Sequence, residues 1–131
     1  YNVEANNKIT IEFLTPTAFR QNKHYVILPD VRLLCQSLML KYSKASAMEE
    51  MADEDTLAQI TGDTFITRHK LRSVVFSAEG QTIPGFVGKV TFCCRGTETM
   101  ARYLRMLFSF GEFSGVGIKT AMGMGAIRIL E

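Results

Sequence analysis

The segment from Gly111 to Gly125 carries five glycines around a lone lysine, Lys119. Glycine permits positive φ and lets backbone N–H groups approach an anion closely, while Lys119 supplies a point charge and Thr120 a hydroxyl. Such a segment suits a polyphosphate or a nucleic-acid backbone. It equally suits a tight crossover from a helix to a strand that needs only small residues. Spacing excludes two familiar glycine motifs. A P-loop needs glycine, lysine and threonine contiguous at the start of a helix, but Ile118 separates Gly117 from Lys119 and the segment runs into a terminal strand. A dinucleotide fingerprint fails as well, because Gly115-Val116-Gly117 is followed by Thr120 and no strand-to-helix turn surrounds it.

The periodicities upstream define what this segment closes. Lys8 to Leu14 alternates Ile9, Ile11 and Phe13 with polar residues, the period of a half-buried strand, and Thr15-Pro16 is expected to break it. Arg20 to His24 reads as an exposed polar loop. Pro29-Asp30 then opens a helix with Val31, Leu34, Cys35, Leu38 and Tyr42 on one face. In Ser43 to Gly62, Met48, Met51, Leu57 and Ile60 allow a short helix, but the acids Glu49, Glu50, Asp53, Glu54 and Asp55 favour a solvated excursion.

Phe65 to Ser77 extends as a strand with Arg68, Lys70 and Arg72 on one face and His69, Leu71 and Val75 on the other. Glu79-Gly80 and Pro84-Gly85 punctuate a hairpin connection, and Phe86, Gly88, Val90 and Phe92 mark the next strand. Gly96-Thr97 caps a second long helix striped by Met100, Tyr103, Leu104, Leu107 and Phe108, and Ala126 to Leu130 forms a last strand. The order strand, helix, strand, strand, helix, strand predicts an α+β, ferredoxin-like βαββαβ domain: a four-stranded antiparallel sheet with helices on one face and the other face free.

A chain of 131 residues with 47% hydrophobic and 21% charged residues fits one globular domain. Its net charge of +2 says little about partners, but the acids cluster between Glu49 and Asp55 and leave the remainder basic. No apolar run approaches the roughly 20 residues that cross a bilayer, so no membrane partner is expected. Cys35, Cys93 and Cys94 are odd in number and lack zinc-ligand spacing, so neither a metal nor a cofactor is expected and a reducing, cytoplasmic setting is. The opening at Tyr1 raises the expectation of a fragment or processed product.

At the tail the pattern becomes specific. Phe113-Ser114-Gly115-Val116-Gly117-Ile118-Lys119-Thr120-Ala121-Met122-Gly123-Met124-Gly125 resembles the C-terminal glycine-rich loop of the CRISPR-associated repeat-processing endoribonucleases of the RAMP superfamily. Phe13-Leu14-Thr15-Pro16-Thr17 resembles the opening of the second domain of those enzymes. Pro84-Gly85-Phe86-Val87-Gly88-Lys89-Val90 resembles the strand before their last helix. The resemblance implies that residues 1–131 form the C-terminal ferredoxin-like domain alone, with the glycine-rich loop at 111–125 and the N-terminal domain absent. It further implies binding and processing of CRISPR repeat RNA by a metal-independent endoribonuclease. Catalytic groups of this family frequently include a histidine of the N-terminal domain, so this chain is expected to lack the main ones. Other CRISPR-associated proteins and a second copy of the chain are further candidate partners.

Within that frame Gly115, Gly117, Lys119, Thr120, Gly123 and Gly125 are candidate RNA contacts. Arg68, Lys70, Arg72 and Lys89, with Arg95 nearby, are candidates to track a phosphate chain. His24, beside Lys23 and Tyr25, is the one candidate catalytic residue, although a lone loop histidine is more often solvated surface. His69 reads as a core or edge histidine. Two alternatives stand beside this reading. Gly85 to Phe92 resembles the aromatic third strand of RNA-recognition modules, which bind without cleaving, although Pro84 stands where a base is expected. A protein-assembly domain whose sheet face packs on another subunit is the other.

Overall fold

The computed structural model describes residues 7–46 and 54–130. Strand β1 (Lys8–Thr17) buries Ile9, Ile11 and Phe13 on one face, as the alternation requires. It does not stop at Thr15-Pro16. The register shifts between Phe13 and Thr17, the irregularity absorbs the proline, and the Pro16 carbonyl accepts a bond from the Gly125 N–H at 3.0 Å. The polar stretch expected as a loop is instead a small hairpin, β2 (Phe19–Gln21) and β3 (His24–Val26). Asn22 and Lys23 make its turn, both with positive φ (52° and 68°), the conformation that matches the twist of paired strands.

Helix α1 (Val31–Ser46) starts where expected: the Asp30 carboxylate accepts from the Leu33 N–H at 3.0 Å, and Leu34, Cys35, Leu38 and Met39 are buried. The solvated excursion expected after it is, from Glu54 onward, a helix. In α2 (Glu54–Asp63) Leu57 and Ile60 are buried, and Glu54 and Asp55 occupy the first turn, where the helix dipole favours negative charge. Met48, Met51, Glu49, Glu50 and Asp53 lie outside the described residues.

Strands β4 (Thr64–Ala78) and β5 (Gln81–Cys94) form one long hairpin. Its turn is Glu79-Gly80 alone, with φ of 51° and 77°. Pro84 and Gly85 do not interrupt it, since they pair with Val75 and Val74. They lie beyond Phe86, the last β5 residue paired with β1, where the sheet has thinned to two strands and a missing proline donor is tolerated.

Helix α3 (Glu98–Ser114) is capped by Thr97, whose hydroxyl accepts from the Met100 N–H at 3.1 Å. Strand β6 (Ile127–Leu130) completes an antiparallel sheet of order β4-β5-β1-β6, the ferredoxin-like arrangement, with α1 and α3 against one face. The main core lies in that layer, where Phe13, Ile11, Phe92 and Val90 meet Leu34, Leu38, Leu104 and Phe108. A smaller cluster of Ala18, Ile83 and Met124, with Phe76 and Ile118, ties the glycine-rich segment to the far end of the β4–β5 hairpin. All three cysteines are buried free thiols, and burial, reinforced by Cys94, pushes the Cys35 thiol up to about 12. Among the described residues no helix is long and apolar enough to cross a membrane.

Candidate nucleic-acid interface

The cations on β4 reach the uncovered face of the sheet through a break in strand geometry. Ile66 pairs with Phe92, which is buried beneath the helices, and strict alternation from Ile66 would send Arg68 the same way. The register shifts between Ile66 and Arg68, so that Arg68 lies opposite Thr91 and Lys70 opposite Lys89. Arg68, Lys70 and Lys89 thereby line one hollow of about 410 Å³, with Thr10, Thr91 and Leu130 beside them. Arg72 follows on the same strand, opposite Val87.

Across the four strands one row reads Lys70, Lys89, Glu12, Arg128. The Glu12 carboxylate is taken by Arg128, at 2.7 and 2.8 Å. Among the described residues Lys70 and Lys89 have no carboxylate partner, and like charges opposed on a sheet repel. An anion arriving at this hollow relieves that repulsion. The Thr10 and Thr91 hydroxyls, 2.9 Å apart, add polar groups beside the cations. Thr10 and Thr91 are not legible as site residues in the sequence because only strand register brings them there.

The glycine-rich segment is built differently from the sequence expectation. The N–H groups of Gly115, Gly117, Gly123 and Gly125 donate to Gly111 O, Ser37 Oγ, Thr120 O and Pro16 O at 2.8–3.1 Å. They are already spent inside the protein and do not face outward as an anion cradle. The glycines are needed for packing. A Cβ on Gly117 would lie 2.2 Å from the Ala18 carbonyl oxygen, and one on Gly125 1.9 Å from that of Val116. Lys119 is exposed and left-handed (φ 54°), at the start of a short 3-10 turn (Thr120–Met122), and Phe113 ahead of it is 90% exposed. The Thr120 hydroxyl lies 3.3 Å from the Lys41 ammonium on α1.

The remaining candidates are dispersed. His24 is exposed on β3 opposite Gln21 and lines neither the hollow nor the glycine segment. His69, opposite Val90 and read from the sequence as a core or edge histidine away from the basic stripe, is exposed on the edge strand and lines the hollow together with Arg68 and Lys70. Among the described residues neither imidazole has a side-chain partner that would orient it as a general base. Arg95 does not line the hollow, and its guanidinium carbon lies 5.6 Å from the Phe65 ring centre. The structure therefore gathers Arg68, Lys70 and Lys89. The glycine segment lies at the other end of β1, where Gly125 and Ile118 bond to Pro16 and Ala18.

A family model described as CRISPR-associated endoribonuclease Cas6 matches residues 11–127. Among curated proteins, the CRISPR-associated endoribonuclease Cas6 of Streptococcus thermophilus is 42% identical over 132 residues, which cover 100% of this chain and 54% of that protein. The protein of the same description from Mycobacterium tuberculosis (strain CDC 1551 / Oshkosh) is 45% identical over 122 residues, covering 93% of this chain and 38% of its own length. Among solved structures, a Cas6 product complex superposes with a TM-score of 0.82 at 30% identity, covering 95% of this chain and 52% of that one. Thermus thermophilus Cas6 does so with a TM-score of 0.81 at 32% identity, covering 95% and 53%. The chain thus spans about half the length, or less, of the relatives it matches.

Proposed function

Because this chain belongs to the CRISPR-associated endoribonuclease Cas6 family, we propose that it holds CRISPR repeat RNA on its uncovered sheet face, as the C-terminal ferredoxin-like half of a metal-independent processing nuclease in the cytoplasm. The observation that carries this reading is the hollow in which Arg68, Lys70 and Lys89 meet, while Glu12, the carboxylate opposite Lys89, is bonded to Arg128. Phosphates bound there exchange condensed counterions for fixed ammonium and guanidinium groups, which gives affinity that falls steeply with salt. Arg72 extends the track along β4, and Lys119 and Thr120 add a contact at the far end of the sheet. Gly115, Gly117, Gly123 and Gly125 act by shaping the turn that presents Lys119, and Arg95 stays with Phe65.

On this reading the chain positions the RNA and the cleaving acid and base come from outside it. Neither histidine is held for proton transfer, and cleavage through a ribose 2′-hydroxyl needs a base within hydrogen-bond reach. The test is a salt titration of repeat-RNA binding to the wild type and to the triple variant Arg68→Gln, Lys70→Gln, Lys89→Gln. Loss of three phosphate contacts should flatten the slope of log K against log salt by about 2–3 and weaken binding at least tenfold at low salt. An unaltered slope would remove the sheet face from the mechanism. Cleavage by this chain that disappears in His24→Ala would instead move the chemistry into it.

A further inference from the structure

Lys41 stands in a groove that the sheet-face site does not use. It lies on α1 between Ser37, one turn before it, and Lys44, nearly one turn after, so the three side chains share one helix face. The groove, of about 270 Å³, is walled by that face, by Phe19 and Arg20 of β2, and by Gly117 and Ile118 of the glycine-rich segment. Among the described residues that line it, the charged ones are Arg20, Lys41 and Lys44, and Phe19, Leu33 and Ile118 give it an apolar wall. The Arg20 guanidinium carbon lies 5.6 Å from the Tyr25 ring centre, a contact that steadies it beside the groove.

Two conditions that make a lysine a nucleophile meet at Lys41. It is half-buried, and burial, then the like charge of Lys44, lowers its ammonium pKa and raises the share of neutral amine. It is also held in place, with its Nζ donating to the Thr120 hydroxyl at 3.3 Å, whereas an ordinary surface lysine swings freely on a four-carbon stem. A reactive amine alone would take any electrophile, but its surroundings select. The cations on either side favour an electrophile that brings its own anion, and the apolar wall favours one whose other end is a small acyl group. An acyl phosphate has both parts.

We propose that Lys41 is a site of acylation by acyl phosphates, with the phosphate on Arg20 and Lys44 and the acyl group against Phe19, Leu33 and Ile118. The lone pair of the Lys41 Nζ forms a bond to the acyl carbon as the bond from that carbon to the phosphate oxygen breaks. Inorganic phosphate leaves with the electron pair of the broken bond, and the nitrogen gives one proton to water. Nothing is oxidised or reduced, and no further reactant is needed. The product is an amide, so the groove loses one of its three cations, and a neutral group replaces the ammonium beside Thr120 at the start of the 3-10 turn. This inference does not depend on the RNA-binding reading above.

The experiment incubates the chain with acetyl phosphate and follows each lysine by peptide mass spectrometry, with the uncharged N-hydroxysuccinimide ester of acetic acid as a second donor. Acetyl phosphate should modify Lys41 at least about fivefold faster than Lys8, Lys23, Lys44, Lys70, Lys89 or Lys119, the advantage of a donor bound beside its nucleophile. Arg20→Gln, at an exposed position of the hairpin, should slow acetyl phosphate at Lys41 by about fivefold and leave the ester's rate there unchanged, because only the phosphate donor uses the guanidinium. Inorganic phosphate should protect Lys41 from acetyl phosphate more than sodium chloride of the same ionic strength does. Modification of Lys41 no faster than that of the other lysines would overturn the proposal. So would an Arg20→Gln variant that keeps the full rate with acetyl phosphate, or one that loses rate equally with both donors, since Arg20 would then act on the amine and not on the phosphate.

Discussion

Gly125 and Gly123 separate two reasons for a glycine. Both have positive φ, 76° and 106°, but a Cβ on Gly125 would meet the Val116 oxygen at 1.9 Å whereas one on Gly123 would only touch the Phe76 ring at 4.0 Å. Gly125→Ala should therefore cost about 3 kcal/mol or more of unfolding free energy, backbone strain and steric clash together. Gly123→Ala should cost about 1 kcal/mol, from strain alone. Urea denaturation of the two variants checks the order, and equal costs would contradict the close approach of Gly125 to Val116 within the segment. The need for glycine was legible in the sequence, but what it was needed for was not. Composition says that a backbone comes close to something; it is silent on whether the N–H groups of Gly115 or Gly117 remain free for a ligand.

Elements whose ends are fixed by local chemistry were read well, and those fixed by a partner were not. Thr97 and Asp30 announce α3 and α1 because a short polar side chain satisfies orphan N–H groups within three residues of itself. Thr97→Ala should accordingly destabilise the protein by about 1 kcal/mol in thermal unfolding, with a larger effect on α3 amide exchange than on the strands. The register shift between Ile66 and Arg68, by contrast, exists only against β5. Reading Arg68, Lys70 and Arg72 as one face succeeded because the alternation is regular beyond the shift. The same alternation carried back to Phe65 would have failed. Pro16 and Pro84 misled for a related reason, since a proline breaks a strand only where a ladder bond is due, and neither lies at such a place. Helix α2, which the spacing of Leu57 and Ile60 allows, loses out to a solvated excursion in the sequence because its acids read as solvated charge, although Glu54 and Asp55 suit a helix N-terminus and Leu57 and Ile60 have a core to enter.

At the scale of the whole molecule, the order of the elements sufficed to give the layered architecture, because a βαββαβ succession with short connections leaves few topologies open. The hollow follows from that architecture, while the polar run of Arg20 to His24 conceals the β2–β3 hairpin. Strand β4 also has a role unrelated to any ligand. It is fifteen residues long and lies at the border of the sheet, so one of its sides is open to a strand from another molecule. Arg68, Lys70 and Arg72 stud that border with charge, which discourages such pairing. Replacing all three with threonine, a good strand former, should leave a folded protein that self-associates at micromolar concentration in sedimentation velocity, whereas the glutamine variants should associate less. On the proposed function, the residues that would take a polyanion are thus also the ones that discourage pairing between copies of the chain, and a nucleic acid that cancelled their repulsion would cover the same border it would otherwise expose.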